Sequence, residues 1–235
     1  MRPRAACDIA DRPTPDTSAT TAAAARRVGT VAIIDYGLGN LRSVAGAIEH
    51  LGYTARISSR VEDLAQAERL ILPGVGAFGD GMKHLRERGL IEPLSRLVLE
   101  QHKPILGICL GAQLLAKESE EFGHHEGLGW VDASVVRLAP RDPTLKIPHV
   151  GWDELQQVHA SPLFHHVPQE ALFYYVHSFH VRCTNPAVVI GRCDYGMPFV
   201  AAYQQDHIFG TQFHPEKSQQ HGLQVLRNFI EQGGG

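Results

Sequence analysis

Cys109 lies in a segment whose residue types suit nucleophilic catalysis. The segment GICLG (residues 107–111) joins the apolar run PILGI to a stretch with helical spacing of apolar residues. Its glycines allow a sharp turn between a buried strand and a helix, so that the thiol is held at the helix N-terminus. The dipole and the unpaired N–H groups there favour thiolate over thiol. Alternatively, Cys109 is only a small buried apolar side chain, which is the usual state of a cysteine.

A thiolate nucleophile needs a base and a group that orients the base, and the segment GTQFHPEKS (residues 210–218) offers both. His214 and Glu216 are two residues apart, so in extended chain they lie on the same side, roughly 6.5 to 7 Å apart. Glu216 can then reach Nδ1 of the imidazole while Nε2 faces the thiol. Singly, each residue is better explained as a surface polar side chain. Together with the turn at Cys109, they favour a Cys-His-Glu triad.

The elements that must position these residues alternate between strand and helix patterns. TVAIID, from Thr30, precedes LRSVAGAIEHLG, in which apolar residues recur at helical intervals. The step repeats in RLILP with FGDGMKHLRERG, and in PILGI with LGAQLLAKES. Because these strands are continuous apolar runs, they predict a parallel sheet covered by helices.

After Gly129 the sequence becomes rich in strand patterns. Turns such as DYGMP and QQDH separate neighbouring runs, which predicts antiparallel strands in this half. A closing helix, roughly from Ser218 to Gln232, places Leu223, Leu226 and Ile230 on one face. The strand-like runs are WVDASVVRL, ALFYYVHSF, AVVIGRC, FVAAYQ and HIFGTQF.

The composition is that of an ordinary soluble enzyme. The 235 residues carry a formal net charge of -3, which lacks the basic excess of a nucleic-acid-binding protein. No apolar run approaches the roughly 18 to 20 residues that span a bilayer, so we expect no membrane insertion. The four cysteines form no CxxC pair, which suits a reducing compartment and predicts a cytoplasmic location.

The chain divides into an extension and one domain. Apolar segments are spread evenly after residue 30, which predicts a single domain over residues 30–235. Residues 1–29 hold scarcely any large apolar side chains, and we predict that they are disordered. A targeting peptide is the alternative, although the three aspartates of this stretch argue against an acid-poor transit sequence.

Six segments of the chain resemble a known family, the class I, triad-type glutamine amidotransferases. GICLG and HPE are shared by many of these enzymes, whereas DYGLGN, GWDEL and YVHSF are similar more narrowly to the HisH subunits of imidazole glycerol phosphate synthase. The likeness runs from about residue 30 to the closing helix. The six segments are DYGLGN (35–40), PGVGAFGDGM (73–82), GICLGAQLLAKESEE (107–121), HVGWDEL (149–155), FYYVHSF (173–179) and GTQFHPEKS (210–218).

The resemblance implies a three-layer α/β fold with a central mixed, mostly parallel sheet, and hydrolysis of L-glutamine to glutamate and ammonia. Cys109 would be the nucleophile, His214 the general base and then acid, and Glu216 its orienting group. For the oxyanion, Leu110 supplies one N–H by following the nucleophile, and the family places the other at Val75. The residues implied to bind glutamine are Gly76, Gln113, Glu121, Ser178 and Phe179.

The resemblance also implies a partner, because no synthase domain is evident in this sequence. Ammonia would pass to a (β/α)8 cyclase subunit, HisF, in a heterodimer of histidine biosynthesis. The family places Asn40, Trp152, Tyr174 and Lys217 near that interface, although Trp152 and Tyr174 are equally compatible with core aromatics. Two alternatives stay open: an amidotransferase subunit for another pathway, such as anthranilate synthesis, and a catalytically silent scaffold.

Two other patterns suggest cofactors only weakly. GVGAFG (residues 74–79) matches GxGxxG, but no acidic residue follows convincingly about 20 positions later, and no GxxxxGK[ST] is present. The fourteen histidines include no HExxH or paired-cysteine spacing. We therefore predict no nucleotide cofactor and no metal.

Overall fold

The computed structural model describes residues 29–232, in which thirteen strands and six α-helices alternate along the chain. The strands are β1 (Thr30–Ile34), β2 (Thr54–Ser58), β3 (Arg69–Gly74), β4 (Ile105–Cys109), β5 (Ala116–Ser119), β6 (His125–Glu126), β7 (Val131–Arg137), β8 (His149–Gln157), β9 (Glu170–His177), β10 (Phe179–Cys183), β11 (Val189–Asp194), β12 (Pro198–Gln205) and β13 (Ile208–Thr211). The helices are α1 (Leu41–His50), α2 (Val61–Gln66), α3 (Phe78–Glu87), α4 (Ile91–Ser95), α5 (Leu110–Leu114) and α6 (Gln219–Gln232). A π-helical segment, Arg96–Glu100, continues α4, and short 3-10 turns cover Pro162–Phe164, Pro186–Val188 and Pro215–Lys217.

Nine strands form one mixed sheet in the order β2-β1-β3-β4-β13-β12-β11-β8-β9. Pairing is parallel from β2 to β13 and antiparallel from β13 to β9. The predicted α/β fold with a mixed sheet is thus confirmed, and so is the change to antiparallel pairing in the second half. In the register, Gly74 lies opposite Cys109 and Thr211 opposite Ile108, so the carboxyl ends of β3, β4 and β13 lie side by side.

Helices cover both faces of this sheet. Alternate residues of β1 point to opposite sides: Ala32 and Ile34 pack with α3, α4 and α5, whereas Val31 and Ile33 pack with α1 and α6. The result is a three-layer arrangement with two apolar cores. Helix α6 contributes Val225, Leu226, Phe229 and Ile230 as its buried face, whereas Leu223, which we predicted there, is only half-buried.

The predicted helix LGAQLLAKES is wrong beyond its first turn. Helix α5 ends at Leu114, and the chain continues as β5, which belongs to a second sheet with the order β10-β7-β5-β6. The carbonyls of Ala116 and Lys117 accept hydrogen bonds from Gly129 N (3.0 Å) and Gly127 N (2.7 Å). These tertiary contacts replace the helical hydrogen bonds, and so they override the local helix propensity.

The remaining expectations concern the extension, the membrane and metals. The predicted extension, residues 1–29, lies outside the described residues except for Gly29. Within residues 29–232, no helix combines the length and apolar character needed to cross a bilayer. The same residues include no group of three or more side chains placed to hold a metal ion.

Candidate active site

Cys109 is the last residue of β4 and directly precedes α5. Its φ of 54° and ψ of -111° lie in a region that non-glycine residues rarely adopt, which costs about 1–3 kcal/mol. The side chain is 6% exposed. The strained backbone turns the thiol away from the strand toward the adjoining cavity, as in a nucleophile elbow.

Two glycines allow the short helix to approach the sheet this closely. A Cβ at Gly111 would lie 1.7 Å from the carbonyl oxygen of Leu72, and a Cβ at Gly107 would lie 2.6 Å from Cα of Ala112. No side chain fits at either position without a shift of backbone. The glycines of the GICLG segment therefore bring the start of α5 into direct contact with β3 and β4.

His214 and Glu216 form a buried pair beside Cys109. The distance from His214 Nδ1 to Glu216 Oε1 is 2.8 Å, and both side chains are 2% exposed. We predicted extended chain between them, but a 3-10 turn begins at Pro215 and brings the two groups closer than a strand would. Ser218 fixes this turn, since its hydroxyl donates to His214 O (2.6 Å) and accepts from Tyr174 N (3.0 Å).

The ionisation of His214 reflects its two neighbours. Burial lowers its pKa, but Cys109 and Glu216 oppose this effect more strongly and raise the pKa to about 10. Both neighbours thus favour the protonated, cationic form of the imidazole. Its Nε2 atom is buried and has no hydrogen-bond partner among residues 29–232, while the Cys109 thiol lies near enough to influence the ring. The arrangement suits a thiolate–imidazolium pair with Nε2 available for proton transfer.

The structure places most of the predicted site residues around one cavity of about 410 Å³. Of the residues proposed from the sequence for catalysis, oxyanion binding, glutamine binding and the interface, those lining it are Val75, Gly76, Cys109, Leu110, Gln113, Glu121, Ser178, Phe179, His214 and Lys217. Val75 is exposed, whereas Leu110 is buried. The roles of these residues stay predictions.

Two polar side chains of the cavity have defined orientations. Gln113 Nε2 donates to Phe179 O (2.8 Å) and to Gln212 Oε1 (3.0 Å), which leaves Gln113 Oε1 for a ligand. Glu121 Oε2 accepts from Phe78 N (2.7 Å), and burial raises the pKa of the Glu121 carboxyl. A half-buried carboxylate with one oxygen bound by backbone gains from a cation in the cavity.

Three of the four predicted interface residues lie next to one another. The ring of Trp152 lies 5.9 Å from that of Tyr174, and Lys217 Nζ lies 5.6 Å from the centre of the Tyr174 ring. Trp152 is 41% exposed, so it is a surface residue and not part of the core. Asn40 directly precedes α1, and its side chain makes no capping hydrogen bond.

Four residues near Cys109 did not emerge from the sequence as site residues. Gln212 Nε2 donates to Cys109 Sγ at 3.7 Å. The sequence places it in the strand-like run HIFGTQF, two residues before His214, where the period-two rule offers a signal, although β13 ends at Thr211 and a bend follows. Tyr36 OH lies so near Gly74 that a Cβ on that glycine would be 2.4 Å from it. Burial, and to a smaller extent the nearby Cys109, raise the pKa of the Tyr36 hydroxyl. His149 and His177 meet at the back of the cavity (3.2 Å between ring nitrogens). Both belong to quoted motifs, but their contact depends on strand register.

Comparisons with known proteins identify relatives of this chain by sequence and by fold. A sequence model of the family "Glutamine amidotransferase class-I" matches residues 32–232. Imidazole glycerol phosphate synthase subunit HisH 2 of Nitrobacter winogradskyi is 48% identical over 206 residues, which cover 86% of this chain and 97% of that protein. Subunit HisH 1 of Campylobacter jejuni is 50% identical over 200 residues, covering 85% and 98%.

Solved structures share the fold at lower identity. A crystal structure of a glutamine amidotransferase has a TM-score of 0.69 and 24% identity, and the match covers 88% of this chain and all of that one. The structure of PurLQS from Thermotoga maritima has a TM-score of 0.68 and 19% identity, with coverage of 86% and 97%. These two matches support the three-layer fold.

Proposed function

The chain belongs to the class I glutamine amidotransferases, and from this premise we propose that it is the glutaminase subunit of an imidazole glycerol phosphate synthase. The observation that carries the proposal is the buried His214–Glu216 pair next to the strained Cys109 in a single cavity. Relatives named as HisH subunits, about half identical over nearly their whole length, support the pathway. The family match over residues 32–232 supports a single amidotransferase domain over residues 30–235.

In the first half of the proposed reaction, Cys109 attacks the γ-carboxamide carbon of glutamine as a thiolate. The C=O electron pair moves to oxygen, and the N–H groups of Leu110 and Val75 stabilise the oxyanion. The imidazolium of His214 then donates its Nε2 proton to the departing nitrogen, and the C–N bond breaks. The products of this half are ammonia and a glutamyl thioester on Cys109.

In the second half, neutral His214 accepts a proton from water as that water attacks the thioester carbon. The second oxyanion collapses, the C–S bond breaks, and glutamate leaves with the Cys109 thiolate and the imidazolium restored. Glu216 orients the ring through Nδ1 in both halves and stabilises its positive charge. Because the resting imidazole already carries the proton, the first transfer needs no separate base.

Glutamine binding is assigned to the polar groups of the cavity. Gln113 offers Oε1 as an acceptor, and the Glu121 carboxylate can pair with the α-ammonium group of glutamine. The backbone around Gly76, Ser178 and Phe179 completes the lining. These three groups would hold the amide carbon near the thiol.

We further propose that the partner is the (β/α)8 cyclase HisF, with which the chain forms a heterodimer. The name of the relatives implies a complex with a second subunit. The group of exposed Trp152 and half-buried Tyr174 and Lys217 offers an aromatic and cationic surface for it, and Lys217 also lines the cavity. A cytoplasmic location is part of the proposal, because free thiols suit a reducing compartment.

The decisive experiment combines covalent labelling with a pathway assay. An electrophilic glutamine analogue should label the wild type and the Cys193→Ala control, which loses another buried free cysteine, but not Cys109→Ala. An absence of labelling at Cys109 would favour a silent scaffold. Glutamine-dependent turnover should appear with a purified histidine-pathway cyclase, whereas turnover only with an anthranilate synthase subunit would assign the chain to that pathway.

A further inference from the structure

Three side chains behind the cavity form a hydrogen-bonded chain. Asp153 Oδ2 lies 2.6 Å from His149 Nε2, His149 Nδ1 lies 3.2 Å from His177 Nε2, and His177 Nδ1 lies 2.9 Å from the carbonyl oxygen of Phe179. His149 and His177 are buried and directly opposite each other on β8 and β9, whereas Asp153 is 38% exposed. The chain therefore leads from the surface of the sheet to the edge of the cavity.

The direction of donation along this chain follows from its two ends. The Phe179 carbonyl can only accept, so His177 carries its proton on Nδ1 and, as burial lowers the pKa of His177 to about 3, is neutral with a lone pair on Nε2. His149 must therefore donate from Nδ1. At the other end, one proton is shared between His149 Nε2 and the Asp153 carboxylate; burial lowers the pKa of His149, and Asp153 opposes this effect.

The Phe179 carbonyl connects this chain to the nucleophile. It accepts a second hydrogen bond from Gln113 Nε2, whose other proton goes to Gln212 Oε1, and Gln212 Nε2 donates to Cys109 Sγ. Phe179 and Gln113 both line the cavity. The position of this one carbonyl thus sets the orientation of Gln113 and, through Gln212, of a donor to the sulfur.

The ring of His149 is also fixed by packing. It stacks on Tyr195 (4.0 Å between ring centres, 23° between planes) and on Tyr175 (5.0 Å, 21°), and Phe199 lies edge-on at 5.8 Å. The ring has little freedom to rotate away from His177. The ring of His177 is therefore held at Nε2 by a donor that packing fixes in place, while the Phe179 carbonyl determines which nitrogen of His177 carries the proton.

We propose that His149, held by Asp153, is a positioning residue for glutamine hydrolysis, because its Nδ1–H group holds the ring of His177 in the orientation in which Nδ1–H of His177 fixes the Phe179 carbonyl at the glutamine pocket. This inference rests on the proposed function. Neither His149 nor His177 takes part in a bond-making step of the proposed reaction. Loss of the His149 side chain should thus raise the KM for glutamine and change kcat less.

The test variant is His149→Phe, which retains a ring for stacking and removes both nitrogen donors. Losing one hydrogen bond at the pocket edge should raise the KM for glutamine about three- to tenfold in the complex with the cyclase. Asp153→Asn should keep a near-wild-type KM, because its amide can donate to His149 Nε2 and leave Nδ1–H in place. The control, His207→Phe, removes a histidine that bonds to Val98 O (2.7 Å) at the other end of the sheet, and its KM should not change.

Nitrogen NMR of the ring of His177 supplies a readout that a packing role would not move. The wild type should show Nδ1 protonated and Nε2 unprotonated, with the Nε2 resonance shifted by the hydrogen bond that it accepts from His149. In His149→Phe the Nε2 resonance should move to the position of a ring nitrogen without a hydrogen bond. An unchanged Nε2 resonance or an unchanged KM in a folded His149→Phe protein would overturn the inference, as would a KM in Asp153→Asn as high as in His149→Phe. Should His149→Phe not fold, His149→Met removes the same donor and should shift the Nε2 resonance and KM likewise. If the wild-type complex has no glutaminase activity, the proposed function fails, while the NMR measurement still decides whether His149 donates to His177.

Discussion

Two buried regions of this molecule differ in whether their polar side chains have hydrogen-bond partners. At the catalytic end, Tyr36 OH, His214 Nε2 and Glu216 Oε2 are buried without a hydrogen-bond partner among residues 29–232. Where α6 meets the segment 162–165, Asn228 Nδ2 donates to the carbonyls of Leu163 and His165, and Asn228 Oδ1 accepts from Gln224.

The difference indicates that one region serves activity and the other serves stability. A buried polar atom without a partner costs stability, and in native structures it calls for an explanation such as a catalytic role. The region at α6 has its hydrogen bonds completed and serves the fold. In the region at Cys109, the polar atoms without partners are available to bind a substrate or a proton. Substitutions there should therefore affect activity more than stability.

The largest effect is expected for Cys109→Ala. Removal of the nucleophile should reduce glutamine-dependent synthase turnover by about 10³-fold or more, because no other group can form the thioester. Turnover with added ammonia should stay at the wild-type level, as should the urea midpoint. If the ammonia-dependent activity were lost as well, Cys109 would be needed for assembly.

Glu216→Gln should be next, with a loss of about 10²- to 10⁴-fold in kcat of the complex. The amide in place of the carboxylate favours the wrong tautomer of His214 and no longer stabilises the imidazolium. Circular dichroism should show an unchanged fold. Wild-type turnover in a folded, partner-bound variant would remove Glu216 from the triad.

A smaller effect is expected on the pH dependence of the free energy of unfolding when His214 is replaced. Because its folded pKa of about 10 lies above the ordinary value of 6.5, its stabilising contribution is complete below about pH 6.5 and is lost as pH rises through 10. Urea unfolding from pH 6 to 10 should show this decline in the wild type and a weaker one in His214→Gln. Equal slopes in both proteins would contradict the raised pKa.

In the contrasting region, Asn228→Ala should lower the free energy of unfolding by about 1–3 kcal/mol. The substitution removes the donor to two backbone carbonyls at the base of α6. Glutaminase turnover at a temperature well below the melting point should equal that of the wild type. A selective loss of turnover in the folded variant would show that Asn228 also affects activity, and would contradict the contrast between the two regions.

The smallest effects are expected from two buried tyrosines. Tyr203→Phe breaks a 2.6 Å hydrogen bond to Ala112 O and should cost about 1 kcal/mol, whereas Tyr36→Phe removes a hydroxyl with no partner and should be neutral or stabilising by up to about 1 kcal/mol. Matched melting curves compare the two. Destabilisation by Tyr36→Phe equal to that of Tyr203→Phe would show that Tyr36 OH is satisfied after all.

Local patterns predicted eight of the thirteen strands, the family and the segments that hold Cys109 and His214, but not β2, β5, β6, β8 or β10. The mixed α/β fold is confirmed because period and turn residues act over short distances. The replacement of a helix by β5 could not be predicted, since the hydrogen bonds to residues 116 and 117 come from a loop that local propensity does not describe. His149 and His177 are 28 residues apart, and only the register of β8 on β9 brings them together.

The pairing of β4 with β13 has a consequence for the order of events during synthesis. Ile105 lies opposite Ile208, so about a hundred residues must be translated after β4 before its second neighbour exists. At roughly 5–20 residues per second, this interval lasts about 5–20 s. A nascent chain synthesised just past Cys109 holds a thiol with neither His214 nor Glu216 beside it. The proposed nucleophile would therefore gain its partners last, when the carboxyl-terminal segment inserts β13 into the middle of the sheet.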